Sequence, residues 1–178
     1  IDRSNQYGYC GESDIIRIAR AAPHMWEEPP ISGTNGSGTI FFSGCNLRCI
    51  YCQNHEIAVS HLGYAVSNDE LCRIFFELQN QGVHNINLVT AGHFTKQLIP
   101  ILQRAKGEGL HIPLVWNSSG YETVEMLRML DGLIDIYLPD FKYINPQTAK
   151  DYSKAPDYPD VAKAALAEMV RQCGAPKI

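Results

Sequence analysis

Long apolar runs are missing from this sequence. Its longest are a few residues, as in Ile40-Phe41-Phe42, against the ~18 that a membrane-spanning helix needs, so a soluble protein is expected. Positive charge is also in short supply: 15 lysines and arginines face 19 acidic residues, for a formal net charge of −4. No basic stripe runs through the chain, which argues against a nucleic-acid partner. An export signal is absent as well, because neither a basic segment nor an apolar one follows Ile1. The chain does not start with methionine, and the native protein is expected to begin earlier. Internal repeats and low-complexity tracts are lacking. Gly33, Gly36 and Gly38 do not make a phosphate loop: the Gly-x4-Gly-Lys-Ser/Thr pattern is absent, and these glycines precede a strand instead of following one. Turns are predicted there.

What is present, 178 residues with 45% hydrophobic and 19% charged content, predicts one globular domain. Cysteine usage is the first informative feature. Of the six, Cys10, Cys72 and Cys173 are isolated, whereas Cys45, Cys49 and Cys52 fall within eight residues. A disulfide scaffold spreads its cysteines through a short secreted chain; clustering points to metal binding or catalysis in a reducing, cytoplasmic setting. Three thiolates on one short loop suit a four-iron cluster with one iron left open. The second reading is zinc with Cys10 or His55 as fourth ligand, and a chance grouping of core cysteines is the third. Cys72 and Cys173 lie on helical segments and are expected to be buried.

Elements alternate along the chain. Residues 1–38 are expected to be an irregular N-terminal segment, and residues 39–178 the core domain. A first strand is predicted over Thr39–Ser43. Ser67 with Glu70 forms a capping box, and Leu71, Ile74, Phe75 and Leu78 repeat at helical spacing up to Gly82. Ile86–Val89 is the second strand. Leu98, Ile101, Leu102 and Ala105 make a second helical stripe, with Pro100 in its first turn or bending it. His111–Trp116 is the third strand, Val124, Leu127 and Leu130 the next helix, and Ile134–Leu138 the fourth strand. The stretch from Tyr143 to Pro159 is too long for a simple connection and is a candidate functional loop. Ala162, Leu166, Met169 and Cys173 mark a last helix, closed by Gly174 and Pro176.

Strands alternating with helices predict a parallel sheet of right-handed βαβ units. Ligands bind at the carboxyl ends of such strands. That rule brings together Cys45–Cys52, Thr90–His93, Asn117–Gly120 and Asp140–Lys142. Asn117, Ser118 and Ser119 have an alternative role as helix caps, and Asp140 with Lys142 an alternative role as a solvated ion pair.

The stretch Ser43-Gly44-Cys45-Asn46-Leu47-Arg48-Cys49-Ile50-Tyr51-Cys52-Gln53-Asn54 resembles the signature loop of the radical S-adenosylmethionine (radical SAM) enzymes, including the aromatic residue directly before the third cysteine. More narrowly, it is similar to the activases of glycyl radical enzymes, of the pyruvate formate-lyase activating kind. Glu27-Glu28-Pro29-Pro30-Ile31-Ser32-Gly33, Tyr137-Leu138-Pro139-Asp140-Phe141-Lys142-Tyr143 and Tyr152-Ser153-Lys154-Ala155-Pro156-Asp157-Tyr158-Pro159 carry the same likeness.

The resemblance implies a six-stranded partial (β/α) barrel, of which four strands are legible here, so that roughly sixty further residues would complete it. It implies that Cys45, Cys49 and Cys52 hold a 4Fe-4S cluster whose open iron is chelated by SAM. An electron delivered by a flavodoxin or ferredoxin would break a carbon–sulfur bond of SAM to give the 5′-deoxyadenosyl radical, for use on a glycyl radical enzyme or another target. Tyr51 would pack beside the cofactor. The family's Gly-Gly-Glu segment, which receives the SAM amino group, corresponds to Ala91-Gly92-His93, with histidine in place of the acid. Its Asp-Thr-Asn-Gly segment corresponds to Asn117-Ser118-Ser119-Gly120, which loses a carboxylate. The Asp-x-Lys pattern is intact as Asp140-Phe141-Lys142, with Lys142 placed to meet the SAM carboxylate. Cys10 corresponds to the last cysteine of a cysteine-rich segment whose other members are not in this chain.

Overall fold

The computed structural model describes Arg3 and residues 6–174; Pro176, expected to help close the last helix, lies outside them. Six strands form one sheet: β1 (Arg17–His24), β2 (Ser37–Phe42), β3 (Tyr64–Ala65), β4 (Ile86–Val89), β5 (Leu114–Ser118) and β6 (Ile136–Pro139), in the order β3-β1-β2-β4-β5-β6. The last four pair in parallel and in sequence. These are the four strands expected, with shifted ends. The third begins later than His111 and runs through Asn117 and Ser118, so these two residues belong to the strand and not to its exit.

The segment before residue 39 is not irregular throughout. Its β1 pairs antiparallel with β2, and with β3 on its other side. Ile16 and Ile18 point into the core, but the alanines that follow carry little strand propensity. Pro23 is tolerated because β3 covers only Arg17 and Ile18, so no strand on that side needs its missing N–H. A bulge between Ile18 and Arg20 falls where β2 ends and the cysteine loop begins. Gly38 also differs from expectation: it lies inside β2, not in a turn.

The paired rows show how the helices are placed. Ile40, Leu88, Trp116 and Tyr137 share one face of the sheet. Two single-turn helices come first in the chain, α1 (Pro29–Ser32) and α2 (His55–Ala58). On that sheet face pack Leu71, Phe75 and Leu78 of α3 (Asn68–Asn80) and Leu98, Ile101 and Leu102 of α4 (Thr95–Gly107). Tyr137 also touches the cluster of Leu127 from α5 (Val124–Met129) with Ala165 and Met169 from α7 (Tyr158–Cys173). Helices therefore cover one face, and the four parallel strands β2, β4, β5 and β6 follow chain order, the arrangement of a partial barrel and not of a doubly wound sheet. The sheet is open. Phe41, Val89, Asn117 and Leu138 line the other face, over which Glu27 reaches to bond Asn87 and Asn117.

Local signals explain the helix ends. Ser67 and Glu70 close the expected capping box on α3. Pro100 sits in the second turn of α4, not the first, and removes one i→i−4 hydrogen bond there. None of Asn117, Ser118 or Ser119 caps α5; Thr123 does, through the Met126 N–H. The expected loop from Tyr143 to Pro159 contains an eight-residue helix, α6 (Pro146–Ser153), capped by Asn145. Cys72 is buried as expected, whereas Cys173 is exposed because it stands in the final turn of α7.

Candidate functional site

Beyond β2 the chain leaves the sheet through Ser43 and Gly44. Gly44 has φ +79°, and a Cβ there would lie 2.9 Å from the Cys10 carbonyl oxygen, so only glycine lets the N-terminal segment close against this turn. Ser43 is held from two sides. Its N–H donates to the Arg17 carbonyl at 3.0 Å, and its carbonyl accepts from Nε2 of His93 at 2.7 Å. A carbonyl only accepts, so the proton of His93 is on Nε2. Burial pushes the His93 pKa down to about 4, which keeps the ring neutral at physiological pH. Glu12, buried behind the turn, meets His61 Nδ1 at 2.8 Å.

Three free thiols follow on this loop. Burial is the main cause that raises Cys45 to about 11; the Leu47 N–H pulls the other way, and the charges of Cys49 and Cys52 add to the rise. Arg48 donates to the Cys45 carbonyl at 3.1 Å. Cys49 Sγ accepts from the Ser153 hydroxyl at 2.9 Å, and backbone bonds from Arg48 N to Ser153 O and from Ile50 N to Tyr152 O tie the loop to the end of α6.

Among the described residues, no three His, Cys, Asp or Glu side chains converge on the position of a single ion. Three unbridged thiols within eight residues, on a loop whose backbone is tied to the end of α6, are a donor set that fits a four-iron cluster with one iron left open.

The exits of β5 and β6 are joined by one hydroxyl. Tyr158, fully buried, accepts from the Lys142 N–H at 2.8 Å and has the carbonyls of Ser119 at 2.7 Å and Asp140 at 2.9 Å as acceptors. Gly120, at φ +70°, allows this approach, because a Cβ there would stand 2.9 Å from the Asp140 carbonyl. Lys142 Nζ pairs with the Asp140 carboxylate at 2.5 Å, the ion pair given as the alternative reading of these two residues. Tyr51 is about half exposed, at 53%, and its hydroxyl meets that of Tyr143 at 2.5 Å.

The remaining expected residues divide between two places. Gly92 and His93 line a cavity of about 520 Å³ together with Arg3, Tyr9, Cys10 and Asn46, a volume in the range of small-molecule pockets. Ala91 is fully buried behind them. Asn117 is on the open sheet face, bonded to Glu27 at 3.0 Å. Ser118 points into the protein, where its hydroxyl donates to Glu122 at 3.1 Å, and Ser119 takes part through its carbonyl.

Glu122, Ser153 and Tyr158 were not anticipated. Glu122 is buried, and burial raises its pKa to about 7 against the opposing bond from Ser118. The indole N–H of Trp116 has no partner at hydrogen-bond distance, yet it is near enough to favour the Glu122 carboxylate. No spacing in the sequence marks a lone glutamate in Gly-Tyr-Glu-Thr as buried.

Comparison with known proteins agrees with this geometry. Residues 39–173 match the model of the radical SAM superfamily. An uncharacterized protein of Methanocaldococcus jannaschii is 31% identical over 170 residues, covering 92% of this chain and 48% of the relative. The chain thus spans about half the length of the curated relative it matches. With a family match over most of its length and the matching sheet beneath it, the chain belongs to the radical SAM superfamily, whose members use a 4Fe-4S cluster and S-adenosylmethionine.

Proposed function

We propose that this chain is the core of a cytoplasmic radical SAM enzyme of the glycyl radical activase kind, in which Cys45, Cys49 and Cys52 hold the cluster. The supporting observation is the set of three unbridged thiols on the loop that leaves the carboxyl end of β2, with the loop backbone held to the end of α6 through residues 48 and 50. When bound, the cluster and SAM supply a reductively generated 5′-deoxyadenosyl radical; the protein's part is to position SAM and exclude water and oxygen.

The exits of β4, β5 and β6 are assigned to SAM. Ala91 O accepts from Phe94 N and the residue has no exposed surface, so Ala91 backs the turn from which Gly92 and His93 face the cavity assigned to SAM. Gly92 O is already taken by Thr95 N and Oγ1, and His93 is spent on Ser43, so this exit binds an ammonium less fully than a carboxylate would. Asn117, Ser118 and Ser119 form the next wall through backbone and amide groups, and Tyr51 flanks the cluster. Lys142 meets the SAM carboxylate by exchanging it for Asp140. A flavodoxin or ferredoxin is the electron donor in this reading, and a glycyl radical enzyme the target.

A small-molecule substrate is the second reading. It is favoured by the Glu27, Asn87 and Asn117 cluster on the open face, where Asn87 Oδ1 is buried without a partner.

Anaerobic reconstitution tests the proposal. Stoichiometric iron and sulfide, and 5′-deoxyadenosine formed from SAM and dithionite, are the expected results. Colourless protein holding one zinc would overturn it. Transfer of a radical to a candidate glycyl radical enzyme, read by electron paramagnetic resonance, separates the two substrate readings.

A further inference from the structure

Three hydroxyls stand in a row that ends on one sulfur of the cysteine loop. Tyr51 OH is 2.5 Å from Tyr143 OH, Tyr143 OH is 2.5 Å from Ser153 Oγ, and Ser153 Oγ is 2.9 Å from Cys49 Sγ. Each hydroxyl has one proton to give. A metal-bound thiolate has none, so Ser153 must donate to it. Having given its proton to sulfur, Ser153 must accept from Tyr143, and Tyr143 in turn must accept from Tyr51. All three O–H dipoles then point at the sulfur, and each bond polarises the next.

The surroundings keep this row in place. Ser153 and Tyr143 are 1% and 7% exposed, so little water competes for their hydroxyls. Ser153 is the last residue of α6, and Lys154 turns the chain immediately after it in the left-handed region. The two backbone bonds from residues 48 and 50 to residues 153 and 152 hold both neighbours of Cys49. The Tyr143 ring packs edge-on against Tyr158 at 5.3 Å.

We propose that Ser153, backed by Tyr143 and Tyr51, is a positioning residue that sets the reduction potential of the cluster through Cys49. The proposal rests on the reading of Cys49 as a ligand. Adding an electron from an external donor increases the negative charge on the cluster and its sulfurs, and a hydrogen bond donated to sulfur is stronger in that state. The row therefore favours the reduced cluster and raises the potential. Its effect is graded, largest for the hydroxyl that touches sulfur and smaller for each one behind it.

The test is a dithionite titration of reconstituted protein followed by electron paramagnetic resonance, with iron and sulfide measured on the same samples. Ser153→Ala is expected to retain iron while its midpoint moves negative, with the equilibrium for reduction falling several-fold to tenfold; tenfold corresponds to about 59 mV for one electron. Ser153→Thr keeps the hydroxyl and should restore the wild-type midpoint. Tyr143→Phe should shift in the same direction by less, and Tyr51→Phe by less again. An unchanged or more positive midpoint in iron-replete Ser153→Ala overturns the proposal. Should Ser153→Ala fail to hold iron, Tyr143→Phe decides: a negative shift supports the row and an unchanged midpoint removes it. A Cys49→Ala protein with a full cluster would instead remove the ligand assignment.

Discussion

Glu122 stands against Gly92, its Oε1 3.3 Å from the point where a Cβ at Gly92 would lie. The turn after β4 and the loop after β5 are thus pressed together around a carboxyl group that burial holds at a pKa of about 7.

Stability should respond to pH through this group. In the unfolded chain Glu122 ionises near 4.5, and in the folded protein near 7. Between these values the folded state binds more protons, so stability falls as pH rises from about 4.5 to 7 and stays lower above. At 1.36 kcal/mol per unit the full effect is on the order of 3 kcal/mol. His93 has the opposite slope: its folded value of about 4 lies below the ordinary 6.5, so its contribution is lost as pH falls through that interval. Urea unfolding of Glu122→Gln at pH 5 and pH 8 should therefore lack the alkaline loss and reveal the acid loss due to His93. A pH profile identical to wild type would remove Glu122 as the source.

Tyr158→Phe should cost about 1–3 kcal/mol, because it leaves the Lys142 N–H and two carbonyls without a buried partner. Denaturant titration measures the loss. The same variant should weaken SAM binding, since Lys142 is positioned through this hydroxyl; unaltered stability and affinity together would discount the joint between β5 and β6.

Cys45→Ala, Cys49→Ala and Cys52→Ala should each fail to assemble a full cluster, each supplying one of only three thiolates on the loop. Cys72→Ala and Cys173→Ala should retain full iron content. Iron and sulfide analysis after anaerobic reconstitution checks both halves of this prediction.

Lys142→Ala should weaken SAM binding about tenfold, or ~1.4 kcal/mol, with no loss of iron. The expected change is moderate because Lys142 already pairs with Asp140 and would have to give up that bond to meet the cofactor. Titration of the reconstituted protein with SAM measures it, and equal affinity would exclude Lys142 from the site.

The parallel strands and α3 were legible in the sequence because β-branched runs and the Ser67–Glu70 box are local signals. Other elements carry their information elsewhere. β1 is defined by its pairing with β2, and Ile18 is its single fully buried residue, with Ile16 buried just ahead of it. α6 buries Ala149 and Ser153, two small residues that leave almost no hydrophobic period. Cys173 fits an apolar stripe by spacing, but a helix end offers it few neighbours beyond the Ile134 carbonyl at 3.6 Å. The cysteine loop was visible as a motif, while its support from Ser153 and His93 comes from distant segments that no local pattern connects to it.

That distance has a consequence for how the protein is made. The bond between Ser153 and Cys49 spans 104 positions of sequence, and the one between His93 and Ser43 spans 50. Synthesis proceeds from the N-terminus at about 5–20 residues per second, so the three thiols emerge many seconds before the helix that braces them. During that interval the loop is an unbraced and oxidisable segment. The braced loop exists only after α6 has docked, so the three thiols must be kept reduced through that interval if the finished chain is to accept iron.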